Sequence, residues 1–200
     1  MDDYVEPYIY HGFKHYRVDI LISVLNSGFI LPRCMINDES LKDNNNLFNG
    51  NKYISLCQKS IIDDGLINVY RCSFNERIFN NLCVVIDNVE SLLYPDLIEW
   101  DYTSKEDLNK ILFKDGKLRR SYYQDELQTE IPISITKFIA VGYPKSYFET
   151  IYGEEQCMKI LKTIKRELEK HNLDIPIVNS GYYDFADNSE HIKKYTLNVK

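Results

Sequence analysis

With 200 residues and a formal charge of -6, the chain is long enough to bury a core and is expected to form a single domain over residues 1–200. Its basic residues are scattered apart from a patch at 159–170, where Glu167 and Glu169 interleave; that footprint excludes a duplex nucleic-acid binder and argues against nucleic acid as a partner. Five cysteines without CxxC or Cys-His ligand spacing exclude a structural zinc and leave no metal to expect. The opening MDDYVEPY lacks a basic and then apolar leader, and no run approaches the roughly 20 apolar residues of a membrane span. A soluble protein is expected, cytoplasmic or exported to a host cell without a classical signal peptide, with no membrane partner.

In chain order, residues 8–10 read as a strand that ends on the polar pair His11-Gly12. Residues 17–27 follow as a helix, with Val18, Leu21, Ile22 and Leu25 recurring at i, i+3, i+4, i+7. Gly28 stands where a helix C-terminal glycine belongs. Residues 33–52, polar and Asn-rich, read as a long loop of the kind that covers a site or selects a partner. YISLC, NVYRCSF and NLCVVID are three strands, and the near-continuous apolar run of the last is that of a buried strand. Residues 90–94 and 104–113 read as short helices, the second with Ser104 as N-cap.

Alternation over 121–131 puts Tyr122, Gln124, Glu126, Gln128 and Glu130 on one face, without an aliphatic side chain. KFIAVGYP is a further strand. Residues 154–171 form the best helix, with Met158, Leu161, Ile164 and Leu168 on one stripe. DIPIVNS then gives a short edge-like strand before a Tyr-rich segment. Sixteen tyrosines, against nine phenylalanines and one tryptophan, supply flat, half-polar surface of the sort that lines clefts and interfaces. The order of elements predicts an α+β fold with a split antiparallel or mixed sheet, an N-terminal helix and a C-terminal helix.

Three polar pieces punctuate these strands: His11-Gly12, Tyr53-Ile54-Ser55 and Glu126-Leu127-Gln128-Thr129-Glu130. Singly they read as a core or turn histidine, ordinary strand filling and a solvated face. Together, with YHG, SGFI, YISL and DELQTEIP in that order over residues 8–143, they resemble the ADP-ribosyltransferase superfamily, in its His-Tyr-Glu-like branch. The pattern departs at HGF, where Phe13 replaces the hydroxyl residue many members carry.

The resemblance implies an NAD-dependent mono-ADP-ribosyltransferase that releases nicotinamide and transfers ADP-ribose to a protein acceptor, with ubiquitin as one candidate. The implied setting is a bacterial effector or an intracellular toxin. Cleavage of the nicotinamide-ribose bond passes through an oxocarbenium-like ribose and needs a nearby carboxylate. The resemblance assigns that role to Glu126 or Glu130, with a lean to Glu126 because Pro132 places Glu130 near the strand end. By the same resemblance His11 holds a ribose hydroxyl, Gly12 the nicotinamide amide, and Tyr53 the ring. Ser55 and Gln128 then position the glutamate or acceptor, and Arg33, with Arg17 a weaker candidate, pairs with the pyrophosphate. Alternatives are an NAD glycohydrolase, an inactive relative serving as a binding module, and an RNA phosphate-transferring relative, against which the charge speaks.

Overall fold

The computed structural model describes residues 8–13, 17–32, 35–36, 54–58, 82–87, 94–95, 126–129, 131–182 and 184–199, with backbone alone at 55, 57–58, 94–95 and 126–128. These residues bear out the α+β class. The chain divides into two compact units, one of Met1–Ile30, Ser73–Asn88 and Ile133–Lys200, the other of Leu31–Cys72 and Val89–Pro132.

The first unit is organised around β4 (Cys83–Ile86), whose four residues are all fully buried. A run of Cys-Val-Val-Ile has no polar face to turn to water, so it is stable only with both faces covered and both edges hydrogen-bonded. One edge is taken by β1 (Ile9–Gly12), antiparallel, with Ile9 opposite Ile86 and Gly12 opposite Cys83. The other is taken by β8 (Phe138–Tyr143), also antiparallel, with a register shift between Val85 and Ile86. Then β9 (Ile177–Asn179) runs parallel to β8. A parallel pair needs a long crossover, and residues 144–176 supply it as two helices, α2 (Lys145–Tyr152) and α3 (Glu154–Lys170). Residues 195–199 close the far side of β9: Tyr195 accepts from the Asn179 amide at 2.8 Å, and the Leu197 amide donates to Ile177 at 2.7 Å.

Helix α1 (Val18–Ser27) ends at Gly28, whose φ of +78° is the left-handed conformation that glycine adopts without a Cβ penalty. Its amide donates to Val24 and Leu25. The chain then leaves into β2 (Phe29–Ile30), which pairs antiparallel with β7 (Ile133–Ser134). Leu21 and Leu25 bury one side of α1, which packs on α3. In α3 the buried stripe is Cys157, Leu161, Ile164 and Leu168. The sequence placed Met158 on that stripe; spacing of four, seven and eleven selects Cys157 instead, and Met158 sits half-buried beside it. Lys159, Lys162, Arg166 and Lys170 are exposed on the other side.

In the second unit, β3 (Ile54–Gln58) pairs antiparallel with β6 (Glu126–Thr129), and β5 (Tyr94–Pro95) pairs antiparallel with the other edge of β6. Ile54, Leu56 and Thr129 are buried. Tyr94 therefore belongs to a strand rather than to the end of a helix. The expected strand at 121–131 is described only over Glu126–Thr129. Beyond it the Thr129 hydroxyl accepts from the Ile131 amide at 3.1 Å, a local bond that competes with ladder pairing. The readings at 33–34, 37–52, 68–74, 90–93 and 104–113 lie outside the described residues.

Gly142 is the tightest point of the core. A Cβ there would lie 2.3 Å from Cys83 Sγ and 3.1 Å from Ser180 Cβ. Gly142→Ala is expected to cost about 1–3 kcal/mol by overpacking, read by chemical denaturation. In the Cys83→Ala background the cost should shrink, because the clashing sulfur is gone.

Cys83 also ties stability to alkaline pH. Burial pushes its thiol up from 9.0 to about 12, against a smaller opposing effect of the Gly142 amide that donates to it. The folded state therefore binds a proton that the unfolded state gives up from about pH 9. Stability is expected to be intact below that pH and to fall by up to about 1.4 kcal/mol per unit as pH rises toward 12. Denaturation midpoints at pH 9 and 10 should converge for Cys83→Ala and separate for the parent chain.

Candidate functional site

His11 and Gly12 close β1 as expected, opposite Val84 and Cys83. One further backbone bond follows, from the Phe13 amide to Leu82 at 2.8 Å. The His11 ring meets Phe13 edge-on, with centroids 5.3 Å apart. Phe13, at the position where the family pattern has a hydroxyl, is buried in the core. A packed phenyl ring accounts for HGF without a ligand.

Apart from Arg17, the remaining expected site residues fall in the second unit or outside the described set. Backbone pairing puts Ser55 opposite Gln128 and Glu126 opposite Cys57, so Ser55 and Gln128 are cross-strand neighbours whereas Glu126 stands two positions further along. Tyr53, Arg33 and Glu130 lie outside the described residues. Arg17 pairs with Asp19 through its guanidinium at the start of α1, both exposed, which fits a helix-surface charge. The side-chain hydrogen bond and charge of Asp19 hold Arg17 above its ordinary value.

A different cluster is built on the first unit, where the Tyr-rich segment follows β9. Phe185 anchors it: the ring is buried, lies 5.6 Å from Tyr10, and closes on Gly142. Asn179 Oδ1 accepts from the amides of Gly181 and Lys145 and fixes the turn that leaves β9. Helix α4 (Ser189–Lys194) begins at Asn188, whose side chain accepts from the His191 amide at 2.9 Å, a normal N-cap.

This scaffold sets out six side chains. The rings of Tyr182 and Tyr195 stack nearly parallel, 4.4 Å apart at 13°. Lys194 Nζ sits 4.7 Å from the centre of the Tyr195 ring. His191 lies between two carboxylates, with Nε2 3.5 Å from Asp184 and Nδ1 3.9 Å from Asp187. Burial pushes the Asp184 carboxyl up, but the Tyr195 hydroxyl, its own backbone amide and the charges of His191 and Lys194 outweigh it and leave the group below its ordinary value. The Tyr195 hydroxyl acts on Lys194 too and holds its ammonium above the ordinary value. Tyr182 is 50% exposed. The sequence singled out this segment only as Tyr-rich; the Asn188 cap signal and the Lys193-Lys194 pair just before Tyr195 were the clues to a folded surface. Among the described residues, no group of three or more His, Cys, Asp and Glu is placed to hold a metal ion.

Comparison with known proteins points away from ADP-ribose transfer. The chain is 24% identical over 129 residues to the Transcription antitermination protein NusB of Helicobacter pylori strain J99, covering 64% of this chain and 86% of that protein. The NusB proteins of H. pylori strain Shi470 and of Helicobacter acinonychis strain Sheeba are each 24% identical over 128 residues, covering 64% of this chain and 85% of theirs. No family model matches the chain. The resemblance to ADP-ribosyltransferases does not stand. With it go the NAD-dependent enzyme, the transfer to a protein acceptor such as ubiquitin, and the toxin or effector setting, since the relatives are named for transcription. The expected exclusion of nucleic acid is corrected by the same finding: net charge weighs against binding driven by many phosphates, not against every contact with a nucleic acid. The expectation of NAD rested on the resemblance alone.

Of the groups that offset the burial of Asp184, the Tyr195 side chain has the largest effect. In Tyr195→Phe the Asp184 carboxyl is expected to titrate higher than in the parent chain, followed by carboxyl chemical shifts across the acid range. An unchanged Asp184 titration would remove that bond from the account.

Proposed function

We propose that this chain is a non-enzymatic factor that acts in transcription, at the step of antitermination. The observation that carries the reading is the similarity to NusB proteins, which spans 86% of the Helicobacter pylori protein and 64% of this chain. The stacked Tyr182 and Tyr195, with Tyr182 exposed, support it as a place for contact rather than bond-breaking. The factor works inside the cell, where transcription runs. Among the described residues no helix is long and apolar enough to cross a membrane.

The test is a reporter gene placed behind a terminator, transcribed with and without the purified chain. Read-through is expected to rise several-fold when the chain is present and to be unaffected by added NAD. Equal read-through with and without the chain would overturn the reading.

A further inference from the structure

We propose that His191, set between Asp184 and Asp187, is a pH-sensitive latch that holds the turn after β9 closed on α4 when its ring is protonated and loosens it when the ring is neutral. The inference stands apart from the transcription reading and rests on where the two ring nitrogens sit. Nε2 lies 3.5 Å from the Asp184 carboxylate and Nδ1 3.9 Å from that of Asp187. Nδ1 is buried and, among the described residues, has no hydrogen-bond partner.

A neutral imidazole carries one N–H and one lone pair. Whichever nitrogen holds the hydrogen, the other turns its lone pair toward a carboxylate, so one of the two contacts is repulsive. Only the imidazolium presents an N–H to both. Each separation is longer than an N–H···O bond, and protonation favours closing both.

The ring joins two pieces of backbone. Asp184 and Asp187 belong to the turn that leaves β9, and His191 to α4. That turn carries the buried Phe185 and the Ala186 carbonyl, which accepts from the Tyr8 amide at 3.1 Å. Past α4, the Tyr195 carbonyl and the Leu197 amide bond to Asn179 and Ile177 of β9. Closing the latch therefore tightens the backbone that covers the outer edge of β9.

The surrounding charge favours the protonated ring. Among the described residues, Asp184 and Asp187 face it from the turn, and the Tyr195 ring lies 6.2 Å away at the exit of α4. The Lys194 ammonium acts on Asp184, and Tyr182 stacks on Tyr195. Glu190 and Lys193, exposed on α4, offset each other. Two carboxylates thus oppose one ammonium. Burial pushes the Asp184 carboxyl up, yet the Tyr195 side chain and the neighbouring charges outweigh it and hold the group below its ordinary value, so it stays ionised in mild acid. The window is the range in which histidines titrate, about pH 5 to 8. Stabilisation is present at its acid end and lost as pH rises through it.

The experiment is native-state hydrogen exchange of the full chain at about pH 5.5 and pH 8, each rate corrected for the intrinsic effect of pH. The amides of Asn179, Tyr195 and Leu197 report on the latch, and those of β4 are the reference. Relative to β4, protection of the reporters is expected to fall by roughly 2- to 10-fold at the higher pH, the range for one or two ion pairs screened by water. His191→Gln, which has no ring to titrate, should abolish that difference while the other three histidines of the four remain. Asp187→Asn should shrink it, and carries the comparison alone if His191→Gln loses the β4 protection that marks the fold. Equal protection of the reporters at both pH values, an equal change in the β4 amides, or an undiminished difference in the variants would overturn the latch.

Discussion

A strand with no exposed side chain is the constraint from which the first unit follows. Cys83, Val84, Val85 and Ile86 alternate apolar side chains between the two faces of their sheet, and burying that run supplies hydrophobic stabilisation only if backbone groups on both edges find partners. β1 and β8 meet that demand. The outer edge of β8 is then paired by β9, which the crossover helices connect to it. The need for close approach reaches one residue further, to Gly142, where the sulfur of Cys83 occupies the space a methyl group would take. Burial of the thiol and absence of a side chain at Gly142 are two sides of one packing decision.

Much of this was legible in the sequence, for physical reasons that differ by element. The apolar run of β4 could be read because no other placement satisfies four such residues in succession. Helices α1 and α3 could be read because their apolar positions recur at helical spacing, and Gly28 because only a glycine sits easily in the left-handed turn that ends α1. Helix α2 escaped notice: KSYFETIY is rich in aromatic and β-branched residues, poor intrinsic helix formers. It is held instead by tertiary contact, with Phe148 packed edge-on to Tyr143 at 4.7 Å and to Tyr152 at 5.8 Å. Helix α4 was overlooked for another reason, since at six residues it has too few turns for periodicity to show and declares itself only by the Asn188 cap.

The functional reading failed where short motifs were asked to carry more than their local physics supports. His11-Gly12 looked like a ligand-holding pair because histidine and glycine are unusual at a strand end; in the fold they do end β1, but Phe13 directly after them is core. Net charge misled in a complementary way. It speaks to the sum of phosphate contacts a surface can support, not to every contact with a nucleic acid.

The first unit is assembled from three separated stretches of chain, with β1 near residue 10, β4 near residue 85 and β8 near residue 140. On the ribosome, β1 therefore emerges long before either strand that completes its neighbourhood, and β4 is made with one edge still open until β8 follows. Contacts so distant in sequence close slowly, and an apolar strand waiting for its partner is an invitation to pair with the wrong one. Synthesis through residue 199 adds the last strip of backbone along β9, where Lys165 Nζ donates to the Val199 carbonyl at 2.9 Å. The direction of translation thus leaves the apolar strand β4 with an open edge until β8 has been made.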